Sequence, residues 1–218
     1  LPRGVPEQLT FDSTDDFSPV PSPDGTKVAF HSWRSGSRDI YVLPLDGGPV
    51  QAVTNSPLQE SKPMWSPDGK AITYTLFGGG GGVYVVRQNP NGTWGTPIKR
   101  TKLARKTDFT SWPVWSPDGN WIAYTNALLG GSLFIVNPDS GAQRTVLDSA
   151  KSRTDAEYPV WSTDSRTLYF KSHDAKGNAE FWSIPINGGG PTRCAHFDDP
   201  DRPSYRSEWS IGAGRMYF

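Results

Sequence analysis

The string Pro63-Met-Trp-Ser-Pro-Asp-Gly69 returns as Pro113-Val-Trp-Ser-Pro-Asp-Gly119 and, weakened, as Pro159-Val-Trp-Ser-Thr-Asp-Ser165. An earlier copy, Pro19-Val-Pro-Ser-Pro-Asp-Gly25, carries Pro21 where the others carry tryptophan, and a late one, Ser207-Glu-Trp-Ser-Ile-Gly-Ala213, keeps little beyond Trp209. The equivalent positions 21, 65, 115, 161 and 209 are spaced 44, 50, 46 and 48 residues apart. A self-similarity at this period means a chain built from supersecondary units, each of which buries its apolar faces only by stacking on the next.

Each Ser-Pro-Asp-Gly is a turn with a mechanism: proline presets φ, aspartate caps the turn and glycine accepts a positive φ. A strand-like segment rich in β-branched and aromatic residues follows every time, at 27–32, 71–76, 121–126 and 167–172. A polar, Gly-containing loop leads to a second such segment at 39–43, 83–86, 133–136 and 181–184. Another turn then leads to a short outer strand such as 51–54 or 144–147. With the tryptophan-bearing strand first, every repeat supplies four antiparallel strands in a meander, the unit of a propeller blade. No 3.6-residue periodicity competes, so almost no helix is expected. The fold class is therefore all-β, a β-propeller of four-stranded antiparallel blades. The first strand of each blade lies next to the axis, with its apolar side chains in the seams between blades.

The chain reads as one propeller domain over 1–218, with repeats at about 13–54, 57–102, 107–149 and 153–197. A partial blade takes in 203–218 and an N-terminal strand within 6–12. Counting one strand, sixteen, and two gives nineteen, one short of the twenty of a five-bladed ring. A missing third strand would leave an exposed sheet edge. The expectation is a fragment of a larger propeller, with a five-bladed ring as the alternative.

Composition excludes several classes. The longest apolar runs fall far short of the ~20 residues of a membrane span. Lys plus Arg equals Asp plus Glu at 22 each, so no global field draws the chain to nucleic acid or to anionic membrane. Lys99, Arg100, Lys102, Arg105 and Lys106 form the one basic run, which lacks interleaved aromatics and reads as solvated strand and loop. The lone Cys194 has no partner for a disulfide and reads as a small buried side chain. The 23 Gly, 20 Pro and 9 Trp suit many short strands joined by tight turns.

The combination of Pro-x-Trp-Ser-Pro-Asp-Gly, an apolar-Ala-aromatic strand, Arg38-Asp-Ile-Tyr-Val42 and Asp46-Gly-Gly48 resembles the TolB-like propeller repeat, a WD40-like pattern. The resemblance covers nearly the whole chain. Its departures are Pro21, the Gly78–Gly82 run in place of a polar loop, and the loss of Pro-Asp-Gly in the last repeat. It implies a propeller that binds or gates rather than performs chemistry. Such propellers include the periplasmic TolB, those appended to bacterial kinases and regulators, and the gating propeller of prolyl-oligopeptidase-like enzymes. A periplasmic or extracellular location is expected on the same ground.

No Gly-x-Ser-x-Gly elbow is present, and His31, His173 and His196 lack fixed-offset His or Cys partners. No enzyme activity and no cofactor are expected. Asp12, Asp15 and Asp16, and likewise Asp198, Asp199 and Asp201, could offer oxygen ligands to calcium, but neither group follows an EF-hand pattern and both read as solvated turns. The repeated aspartates Asp24, Asp68, Asp118 and Asp164 are explained by their turns.

The loops entering the first strands are the better candidate surface, because they converge where the axial channel opens. They carry Asp16 with Phe17, Glu60 with Lys62, Asp108 with Trp112, Glu157 with Tyr158, and Tyr205 with Arg206. Carboxylates beside aromatics suit a peptide, a cation or a sugar. On this reading Glu60 and Glu157 are equivalent ligand contacts. A protein or peptide partner is the leading expectation. Carbohydrate is an alternative favoured by Trp33, Trp94 and Trp112 in non-core positions, and a gating or sensor role within a larger peptidase or kinase is another.

Overall fold

The computed structural model describes residues 7–77, 81–102, 110–126 and 131–196, together with 210–212 and 215–217. The first blade consists of β1 (Asp16–Pro21), β2 (Lys27–Ser32), β3 (Asp39–Pro44) and β4 (Gln51–Ala52). The second is β5 (Gln59–Trp65), β6 (Ala71–Phe77), β7 (Val83–Arg87) and β8 (Ile98–Lys99). The third is β9 (Ser111–Trp115), β10 (Ile122–Thr125), β11 (Leu133–Val136) and β12 (Gln143–Leu147), followed by the short helix α1 (Ser149–Ser152). The fourth is β13 (Glu157–Trp161), β14 (Thr167–His173), β15 (Ala179–Pro185) and β16 (Thr192–His196). A two-stranded sheet of β17 (Ser210–Gly212) and β18 (Arg215–Tyr217) comes last. Each four-stranded sheet is an antiparallel meander in sequence order.

The blades stack radially. β5 packs against β1, β2 and β3, β9 against β5 and β6, and β13 against β9 and β10. Successive side chains of a strand point to opposite faces, so a blade between two others must be apolar on both. Blade 2 shows this division. Ile72, Tyr74 and Val86 join Ala29, Ile40 and Val42 of blade 1 in one cluster. Ala71, Val83 and Val85 join Ile122, Tyr124 and Val136 of blade 3 in another. A third cluster unites Ala123, Leu133 and Ile135 with Trp161, Leu168 and Phe170 of blade 4.

The repeated tryptophans stitch these seams. Trp65 and Trp161 are 6% and 7% exposed. Trp65 Nε1 donates to the Val20 carbonyl (3.1 Å) and Trp161 Nε1 to the Val114 carbonyl (3.0 Å), each acceptor lying in the inner strand of the preceding blade. Trp115 stands at the same repeat position, but its buried Nε1 has no hydrogen-bond partner.

The Ser-Pro-Asp-Gly turns are closed networks. In the first, Ser22 Oγ donates to Asp24 Oδ1 (2.6 Å), which also accepts from the Thr26 N–H (3.0 Å), while Ser22 Oγ accepts from the Lys27 N–H (3.0 Å). The copies around Asp68, Asp118 and Asp164 repeat the pattern. Gly25, Gly69 and Gly119 sit at φ of +70, +68 and +74, and Ser165 occupies the same left-handed position at +60. Serine is tolerated there because its Oγ accepts from the Asp118 N–H of the neighbouring turn (3.1 Å), which ties blade 4 to blade 3.

Three expectations are corrected. Residues 7–12 form no strand; Gln8 Nε2 instead donates to the Thr10 carbonyl. Cys194 is exposed, because β16 is the outermost strand of its blade and its residues are largely solvated. Trp94 is partly buried against Trp65, with ring centroids 6.0 Å apart, so it belongs to the seam between blades 1 and 2. The glycine run overlaps 78–80, and the basic run 103–106, which lie outside the described residues.

Candidate functional site

The inner strands enter their sheets at the end of the barrel-like stack where β2 and β3 are also joined, and each carries a bulge there. Pairing with the second strand shifts between Phe17 and Val20, Ser61 and Met64, Ser111 and Val114, and Glu157 and Val160. Ser18, Lys62 and Tyr158, each directly before a proline, have φ of +51, +55 and +47. A following proline disfavours the right-handed helical region, and the extra residue of a bulge needs a non-extended conformation. The left-handed region answers both demands. A non-glycine side chain pays about 1–2 kcal/mol there, so three such residues at one repeat position mark a part of the fold where strain is tolerated.

These strands re-aim their side chains accordingly. Lys62 Nζ donates to Ser111 Oγ of blade 3 (3.2 Å). Burial, and secondarily the Arg38 charge, lowers its ammonium to about 8. Beside it, His31 is buried, stacks on Phe17 (5.7 Å) and meets Trp33 edge-on (6.0 Å). Phe17 and Trp33 meet edge-to-face at 5.5 Å and remain 44% and 37% exposed. The Arg38 guanidinium lies 5.2 Å from the Trp33 ring centre. Burial first, then the Arg38 and Lys62 charges, pulls the His31 imidazole down to about 4, so it is neutral at physiological pH. The result is an aromatic platform flanked by two cations.

The other sequence candidates are placed differently. Asp16 is held by Arg34, whose NH2 reaches its two oxygens at 2.7 and 2.9 Å and Asp12 Oδ2 at 2.6 Å. Burial pushes the Asp16 pKa up, but hydrogen bonds from Arg34, Ser32 and Thr10 and the Arg34 charge together outweigh it, and the net shift is downward. Asp12 and Asp16 are thus committed to one guanidinium, itself packed 4.9 Å from the Phe30 and Tyr41 ring centres. Glu157 Oε1 stands 3.8 Å from His173 Nδ1, and Lys171 Nζ lies 5.8 Å from the Tyr158 ring centre. Asp108 and Arg206 lie outside the described residues, as does the side chain of Trp112. Among the described residues no three His, Cys, Asp or Glu side chains converge as a metal site.

Glu60 and Glu157 are not equivalent. Glu60 lies five residues before Trp65, but Glu157 four before Trp161, and a one-residue offset moves a side chain to the opposite face of a strand. Glu60 faces blade 1, where Oε1 accepts from Ser56 Oγ (3.0 Å) and its N–H donates to the Arg38 carbonyl (2.8 Å). Of the platform residues, His31 and Arg38 are not among the ligand contacts that the sequence suggests. Trp33 was singled out only as a sugar contact, because nothing local shows that β2 and the loop after it bring these residues beside Lys62.

No protein-family model matches the chain. Segments of it are similar to curated proteins: 35% identical over 88 residues to the uncharacterized peptidase YuxL of Bacillus subtilis, and 34% over 82 residues to a TolB homolog of Chlorobium chlorochromatii. The matches take in 40% and 38% of this chain but only 13% and 17% of those relatives. The chain is a β-propeller whose repeats are similar to those of TolB homologues. Its fold also matches puromycin hydrolase, with a TM-score of 0.72 at 15% identity over 97% of this chain and 35% of that one. Parts of TolB homologues and parts of peptidases thus both resemble this chain. No helix of the described residues is long and apolar enough to cross a membrane.

Proposed function

We propose that this TolB-like propeller is a non-catalytic binding module that takes a protein or peptide on the axial face. The observation that carries the reading is the exposed Phe17–Trp33 pair, seated on buried His31 and bordered by Arg38 and Lys62. Rigid aromatic anchors beside cations are the makings of a binding hot spot, and the two positive charges favour a segment bearing a carboxylate. Asp16, Glu60, Lys62, Asp108, Trp112, Glu157, Tyr158 and Arg206 remain the proposed surround of the axial mouth, with Lys62 central to it and Glu60 turned toward blade 1. The TolB likeness supports the periplasm as the working compartment. Panning a random peptide library against the chain tests the proposal: acidic peptides should be enriched and should lose affinity at least about tenfold on Trp33→Ala or Lys62→Ala. Enrichment of none, or binding indifferent to both changes, rejects the face.

The likeness to puromycin hydrolase favours a second reading, a gating propeller of a larger peptidase. An α/β catalytic domain encoded beside this segment would support it, and its absence from the gene would remove it.

A further inference from the structure

A cleft of about 530 Å³ opens between blades 1 and 2, apart from the aromatic platform. Its walls include Val53, Thr54 and Ser56 from the link between the blades, Glu60 from β5, and Trp94 and Pro97 from the connection between β7 and β8. The volume falls within the roughly 300–1,000 Å³ of small-molecule pockets.

Two of these residues hold unsatisfied polar atoms. Glu60 is 2% exposed; Oε1 accepts from Ser56, whereas Oε2 is buried with no hydrogen bond, although the Thr54 and Tyr74 hydroxyls stand near the carboxyl. Trp94 Nε1 is likewise buried without a partner. A buried polar atom left unpaired costs about 1–3 kcal/mol, and native structures keep few of them without a reason.

The two orphans are complementary in kind, since Glu60 Oε2 lacks a donor and Trp94 Nε1 lacks an acceptor. A cation would satisfy Glu60 and leave Trp94 unpaired. An anion would satisfy Trp94 and be repelled by Glu60 and the neighbouring Asp39. Hydroxyl groups donate and accept, so a neutral polyol satisfies both. The remaining wall, hydroxyls of Thr54 and Ser56 beside apolar Val53 and Pro97 and the indole, suits the mixed polar and apolar surface of a sugar ring. We infer that the cleft between blades 1 and 2 is a binding site for a neutral, hydroxyl-rich ligand of the sugar class, with Glu60 accepting from one ligand hydroxyl and Trp94 donating to another.

Saturation-transfer NMR on the whole chain tests this with glucose, galactose, N-acetylglucosamine and maltose as probes, and with butylamine as the cationic comparison. At least one sugar should receive saturation. Its affinity should fall about tenfold or more in Glu60→Gln and in Trp94→Phe, which remove the charge and the N–H while keeping shape. Trp33→Ala, on the axial platform, should leave it unchanged, so the outcome is independent of the peptide reading. Thermal melts of both variants confirm folding, and Glu60→Gln alone suffices if Trp94→Phe does not fold. Transfer to no sugar, meaning a cleft that holds only water, would overturn the inference. So would binding of butylamine in place of the sugars, or sugar binding indifferent to both substitutions.

Discussion

The indole N–H of Trp65 reaches across the seam between two blades to the backbone carbonyl of Val20, 3.1 Å away. Trp161 repeats the bond to Val114 one seam further on, and Trp115, between them in the chain, does not make it. A hydrogen bond that satisfies a buried carbonyl contributes about 1 kcal/mol. Trp65→Phe and Trp161→Phe should therefore each destabilise by about 1 kcal/mol more than Trp115→Phe, measured by urea unfolding. Equal losses at all three positions would show that ring packing alone holds the seams.

The turn aspartates contribute to stability in acid. Hydrogen bonds from Ser22 and Thr26 depress Asp24 to about 2, and Asp68, Asp118 and Asp164 are also lowered. A carboxyl depressed by folding contributes stability that is present above its unfolded value near 3.8 and lost as pH falls through the folded one. Melting temperature should drop steeply between about pH 4 and 2. Asp24→Asn combined with Asp68→Asn should flatten that drop.

Lys62 carries the opposite sign. Its ammonium is lowered to about 8 from the usual 10.5, so the unfolded chain holds the proton more tightly and stability rises with pH between those values. Lys62→Met should raise the melting temperature at pH 7 by about 2–4 °C. The difference should shrink as pH approaches 10.5, a range that differential scanning fluorimetry covers.

Burial raises the carboxyl pKa of Glu60, against the Thr54, Ser56 and Tyr74 hydroxyls that lower it. Its charged form is thus a burden on the fold at neutral pH that protonation relieves. Glu60→Gln should stabilise at pH 7 and lose that advantage as the buffer is acidified. A variant less stable than the parent at pH 7 would indicate that the charge itself is needed.

Much of this fold was legible locally. The second strand expected at 27–32 forms as Lys27–Ser32, and Leu133–Val136 forms as expected, because alternating β-branched and aromatic residues between proline-glycine turns have few other solutions. The aspartates of those turns were explained by their immediate neighbours for the same reason. The candidate site was less legible. Asp16 looked free until Arg34, eighteen residues on, took it up.

The repeat by itself determined that strands of this kind come in fours and must stack on copies of themselves, since period and turn chemistry act within a few residues. Only the tertiary structure decided which way each inner-strand side chain points. A bulge and a one-residue offset send Glu60 to the neighbouring blade and Lys62 toward Ser111. The physical reason is that strand faces alternate with every residue, so the destination of a side chain depends on register and on what the next blade presents.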